Sequence, residues 1–224
     1  MRVLIVVVCI LFAGSLLAPG VGHAQVFDNE IGLYTDLSAS HASTSILIEP
    51  NVLFQVYAIV TNPFNEEFVS ADCVPPIQRD ITLIDAVQLR LIKSGIGLYT
   101  LAALPNGAAT GNVGVLPDYA FGFSEPLQVP EDRVTHLITF TFMVADSDPK
   151  ELFLEPTVSL PSNNFLGIYD AQEYVAWPRE CPWDGPYQIC HPVSGDSSMP
   201  VFGINTSVVA TENVSFGSVK ALYR

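Results

Sequence analysis

Three side chains far apart in the chain carry the components of acyl-transfer chemistry. Ser197 stands in Gly195-Asp196-Ser197-Ser198-Met199-Pro200, Asp80 in Arg79-Asp80-Ile81-Thr82-Leu83-Ile84, and His41 closes Ser38-Ala39-Ser40-His41. In such a set His41 would deprotonate the Ser197 hydroxyl while Asp80 orients the imidazole, and the three occur in the order His, Asp, Ser. Other catalytic signatures are incomplete. Gly122-Phe123-Ser124-Glu125-Pro126 lacks the second glycine of a nucleophile elbow, and the chain has neither a Gly-rich phosphate loop nor His-Glu-x-x-His. Glycoside hydrolysis needs two carboxylates across a cleft, and 23 acidic residues single out no pair.

Ligand binding has three candidate locations. Asp146 and Asp148 follow a long apolar run and, like Asp28-Asn29-Glu30, cluster oxygen donors of the kind calcium takes, although neither run has the spaced ligands of a twelve-residue calcium loop. Turn-forming acids on a solvated rim have the same appearance. Trp177, Trp183 and Tyr187 cluster among prolines and would form an aromatic face for a sugar or peptide, or plug an open end of the fold. His136 falls on the apolar side of its alternating segment, with no metal-ligand spacing around it, and reads as a satisfied or rim histidine. Asn205-Thr206-Ser207 and Asn213-Val214-Ser215 fit the glycosylation sequon.

Charge and export narrow the partners. The chain carries 23 Asp and Glu against 9 Lys and Arg, a net charge of -14, so no basic stripe exists to neutralise a phosphate backbone and nucleic-acid binding is excluded. Met1-Arg2, the apolar run from Val3 to Leu17, and Gly22-His23-Ala24 before Gln25 read as a secretory signal peptide over residues 1–24. No later run is long enough to span a bilayer, so the mature chain is expected to be secreted or periplasmic without a transmembrane segment. Cleavage removes Arg2 and no acidic residue, which leaves the product more acidic. Cys73, Cys181 and Cys190 survive it, an odd number. The economical pairing is Cys181 with Cys190, across a turn-rich interval whose closure would contribute roughly 2.5–3 kcal/mol; Cys73 bonded to one of them is the rival.

The elements that must position these groups read as strands. Val52–Val60 is rich in β-branched and aromatic residues and ends at Asn62-Pro63, predicting a buried central strand. Val134–Val144 alternates, with Val134, Ile138, Phe140, Phe142 and Val144 on one face and threonines on the other. Shorter candidates are Ile31–Tyr34, Ser45–Ile48, Val87–Ile92, Ile96–Ala102, Tyr119–Phe123, Leu152–Leu160, Phe165–Tyr169 and Met199–Ile204, separated by most of the prolines and glycines. The pattern predicts an all-β fold, a single antiparallel β-sandwich over residues 25–224. A loop runs from Pro178 to Pro200. A short C-terminal helix caps the sandwich, with Phe216, Val219 and Tyr223 at helical spacing.

Resemblances add three expectations. The segments around Ser197, Asp80 and His41 are similar to the nucleophile loop, the Asp strand and the His segment of chymotrypsin-like proteases. Ser198 replaces a glycine of the oxyanion turn, no cysteine follows His41, and the stretch before His41 is too short for that family's first barrel. Ile31-Gly32-Leu33-Tyr34-Thr35-Asp36, the strand end Val60-Thr61-Asn62-Pro63, Gly203-Ile204-Asn205 and the tail Phe216-Gly217-Ser218-Val219-Lys220-Ala221-Leu222-Tyr223-Arg224 resemble a group of uncharacterised secreted bacterial proteins, which often have Trp where Phe216 stands. The run from Val52 to Ile168, including Leu137–Val144, resembles a cohesin-type sandwich, which implies a jelly-roll-like fold. No catalytic residue or dockerin partner carries over from either likeness. The chain therefore reads as a secreted, non-enzymatic binding or surface-assembly module for an extracellular protein or carbohydrate. The alternative is an extracellular serine hydrolase built on His41, Asp80 and Ser197.

Overall fold

A computed structural model describes residues 28–40, 43–66, 78–160, 165–171 and 187–206. Fourteen strands are present among them: β1 Glu30–Tyr34, β2 Ser45–Ile46, β3 Leu53–Thr61, β4 Phe64–Glu66, β5 Gln78–Asp80, β6 Leu83–Ser94, β7 Leu98–Pro105, β8 Asp118–Gln128, β9 Val134–Val144, β10 Lys150–Glu155, β11 Gly167–Asp170, β12 Tyr187–Ile189, β13 His191–Pro192 and β14 Phe202–Ile204. One sheet has the order β13-β1-β3-β9-β7. The other has the order β12-β11-β6-β10-β14-β2, with β8 on the free side of β6, and β4 pairs with β5 separately. The fold is the expected all-β sandwich. Two contacts depart from an antiparallel pattern, since β1 pairs parallel with β13 and β14 parallel with β2.

The long strands hold the layers together because their inward residues are large and apolar. Val56, Phe140, Phe142 and Val144 from one sheet and Val87, Leu89, Leu152, Leu154 and Ile168 from the other share one core. Tyr119 of β8 meets Phe140 of β9 across the layers edge to face, with ring centroids 5.1 Å apart. Burying each such side chain contributes about 1.5–3 kcal/mol. In the second sheet β6 serves two strands in succession on one side. Glu155 pairs with Arg90 and Gly167 with Gln88, so β10 and β11 lie end to end along β6, interrupted by the excursion between them. The expected strand Leu152–Leu160 therefore stops at Glu155. Beyond it, the Val158 and Ser159 amides donate to Asp118 Oδ2 at 2.8 and 2.6 Å, which turns the chain away from the ladder.

Two strand expectations change for local reasons. Ala58 pairs with Ile138 but Ile59 pairs with His136, so Leu137 is an extra residue, a β-bulge. The alternation inverts there: Leu137 and Ile138 are both buried, Thr135 points inward, and His136 stands on the outer face, not on the apolar side. Leu53 and Gln55 at the start of β3 are exposed, so this central strand is buried on one face from Phe54 onward and on both faces from Ala58 to Val60. The expected long loop contains β12 and β13. The chain crosses between the sheets here, with the Cys190 amide donating to Leu166 O at 2.8 Å and the next amide, of His191, to Asn29 O at 2.8 Å.

That crossing sets the surroundings of Cys190, one half of the expected disulfide. Cys190 at the crossover faces the core, 2% exposed, and is a free thiol. Its expected partner Cys181, and Cys73, lie outside the described residues. So do residues 1–24, His41, Trp177, Trp183 and the C-terminal segment read as a helix. Among the described residues no helix is long and apolar enough to cross a membrane.

Candidate functional site

Of the hydrolase components, Asp80 and Ser197 are among the described residues and His41 is outside them. Asp80, at the end of β5, is exposed and ion-paired with Arg133 at 3.2 Å, and Arg133 also donates to the carbonyls of Pro63 and Ile81. Ser197 sits in the turn between β13 and β14. Its neighbour Asp196 accepts the Ser198 amide at 2.7 Å, and this bond with the Ser198 side chain holds the Asp196 carboxyl below its ordinary range. No described imidazole or carboxylate bonds to the Ser197 hydroxyl.

The candidate cation residues are occupied by a protein cation. Lys150 is 1% exposed, and its ammonium lies 2.5 Å from Asp146 Oδ1 and 3.0 Å from the Asp148 carbonyl. Asp146 also accepts the Asp148 amide at 3.0 Å. Among the described residues no group of three or more metal-ligating side chains forms. Tyr187 pairs in register with Tyr169 on the second sheet, and the two tryptophans expected beside it lie outside the described residues. His136 packs edge to face on Tyr57 at 5.3 Å and meets Thr139 Oγ1 at 3.0 Å. Burial there lowers its pKa against a smaller opposing effect of the Ile138 backbone.

The structure brings together a different site, at the open side of the sandwich. β7, Leu98-Tyr99-Thr100-Leu101-Ala102-Ala103-Leu104-Pro105, carries no charge and among the described residues pairs only with β9, which makes it the edge of its sheet there. Leu98 anchors it in the core, while Tyr99, Leu101 and Leu104 are each at least half exposed. Tyr99 lies in register with Met143, and Met143 with Leu53, which forms an apolar row across the outer face. The β8 edge facing β7 is closed. The Thr110 amide donates to Gly122 O at 2.8 Å, Ser124 N to Ala108 O at 2.9 Å, and Asn112 Oδ1 accepts the Ala120 amide at 2.8 Å. The run Ala108–Asn112 thus covers β8 with backbone and side-chain bonds.

Between the open edge and this covering run lies a groove of about 480 Å³. Thr100 to Ala103 and Pro105 line one side, Ala109 to Asn112 and Leu116 the other, with Tyr119 and Phe121 between them. No lining residue is charged, in a chain of net charge -14. One cation stands at its head: Lys93 Nζ donates to Leu98 O at 3.3 Å and to Thr100 Oγ1 at 3.2 Å. Sequence reading placed a strand over Ile96–Ala102 but not this site. An uncharged strand is visible in a sequence; whether it pairs on one side or two is not.

No family model matches the chain, and no curated protein matches it. Solved structures with a similar arrangement include a type II cohesin domain from the cellulosome of Acetivibrio cellulolyticus, 12% identical over 80% of this chain and 96% of that one, with a TM-score of 0.44. The solution structure of CaCohA2 from Clostridium acetobutylicum is 11% identical over 82% of this chain and 94% of that one, with a TM-score of 0.41. A crystal structure of a variant CaDoc0917 in complex with CaCohA2 at pH 5.5 is 13% identical over 58% and 84%, with a TM-score of 0.36.

Proposed function

We propose that the mature chain is a non-enzymatic binding or surface-assembly module that acts outside the cytoplasm on an extracellular protein. The observation that carries this reading is the uncharged groove beside the open edge of β7. Concave, largely apolar sites with a few convergent polar groups are where ligands are held. An acidic surface with a neutral recess favours a partner matched by shape and backbone bonds over one matched by phosphate charge. The leader-like residues 1–24 support export, and mass spectrometry of the exported product is expected to find Gln25 at its start.

The binding reading is tested with a photo-crosslinking residue at Leu101, in the groove, and at Leu47, also exposed, beside β2 of the other sheet. In the producing organism the Leu101 position is expected to cross-link to a discrete envelope or extracellular protein, and the Leu47 position is not. Equal yields at both positions, or none at Leu101, would overturn the reading. Stoichiometric labelling of Ser197 by a fluorophosphonate would overturn its non-enzymatic part.

A further inference from the structure

We infer that β7 receives an added strand from a protein partner: an extended segment, uncharged where it lies in the groove and carrying a carboxylate at the Lys93 end. This rests on reading the groove as the binding site. The register supplies the backbone half of the recognition. Successive residues of an antiparallel strand direct their backbone groups to alternate sides. Leu98 directs its carbonyl to Lys93, away from β9. By the same alternation Thr100 does so too, and after the bulge between Thr100 and Ala102, so does Ala103. These are the groups an incoming strand would meet, as in recognition by strand addition. From Thr100 to Pro105 the edge runs roughly 17 Å at about 3.3 Å per residue, the span of a five- or six-residue segment.

Charge selects the occupant. Lys93 is exposed, bonds only to Leu98 O and Thr100 Oγ1 among the described residues, and through Thr100 adjoins a groove whose lining carries no countercharge. A carboxylate there gains an unopposed cation, and charges further along the segment would lose hydration with no partner. A second copy of this chain is a poorer match. Two chains of net charge -14 repel each other, and a two-fold pairing of β7 with itself would bring Pro105, which has no amide to donate, into the ladder of both.

The experiment selects binders to the full chain from a displayed library of random eight-residue segments, then synthesises the best segment in four forms. These are unmodified, N-methylated at one or at the other alternate set of amides, and with its carboxylate changed to an amide. The unmodified segment is expected to shift the Thr100 and Ala103 amide resonances. N-methylation on the bonding side should weaken it at least tenfold, and removing the carboxylate should weaken it for wild type but not for Lys93→Gln. Binding in the groove that tolerates both N-methyl patterns would overturn strand addition while leaving the groove as a binding site. A library yielding no segment that shifts β7 would overturn the inference even if Leu101 cross-links to a folded partner. A dimer in sedimentation that Ala103→Pro abolishes would overturn the choice of occupant.

Discussion

The ammonium of Lys150 is buried and lies 2.5 Å from Asp146 Oδ1, at the turn joining β9 to β10. Its aliphatic stem packs where Gly95 turns with φ +84; a methyl group at Gly95 would come within 2.8 Å of Lys150 Cδ. The lysine thus ties the β9–β10 turn to the neighbouring β6–β7 turn.

The stem and the charge have separable effects. Lys150→Ala removes about three buried methylenes and is expected to cost roughly 2–3 kcal/mol in urea denaturation, with the m-value unchanged. Lys150→Met keeps the stem and lets the partly exposed Asp146 rehydrate, so it should stay within about 1 kcal/mol of wild type. The bond from Lys150, then that from the Asp148 amide, depress the Asp146 pKa. Its contribution is therefore present above the ordinary aspartate range and lost as pH falls through the depressed value, and in Lys150→Met this acid-side loss should shrink. Millimolar calcium should leave Tm unchanged, because the ammonium already occupies Asp146; a rise in Tm would contradict this.

Tyr34 folds its ring over Gly32 on β1. A methyl group at Gly32 would lie 2.6 Å from the Tyr34 hydroxyl oxygen and 2.8 Å from Cζ. Gly32→Ala should therefore cost about 1–3 kcal/mol by displacing the ring. In a Tyr34→Ala background the same substitution should cost much less. A double-mutant cycle with no coupling would contradict the contact.

His136 has its pKa lowered chiefly by burial beside Tyr57. The unfolded chain binds this proton first as pH falls below about 6.5, so stability is complete above that pH and declines below it until the depressed value is passed. The slope contributed is at most about 1.4 kcal/mol per pH unit. His136→Gln should flatten it in denaturation curves measured across this range.

Burial pushes the Cys190 thiol up to about 12, against a smaller effect of the Ile168 backbone. Native protein should leave Cys190 unmodified by iodoacetamide, while protein in denaturant should be labelled there. A mass-spectrometric link between Cys190 and Cys181 in unreduced protein would show instead that this side chain leaves the core.

Local pattern carried the strands and long-range pairing carried the site. Phe140, Phe142 and Val144 were legible as a buried face because side-chain alternation is a property of one strand. His136 was misplaced by the same rule, since the bulge at Leu137 exists only against β3. The Asp146 and Asp148 oxygens were legible as a cluster, but their partner Lys150 is settled by how two turns pack.

Composition and alternation were sufficient to determine an acidic, all-β chain with one apolar core, because both depend only on which residues are present and how neighbours alternate. The tertiary structure alone decided that Cys190 faces the core and that β7 is an open edge beside a groove. Each depends on which distant segment lies alongside, a relation that hydrophobic periodicity within a single strand does not encode.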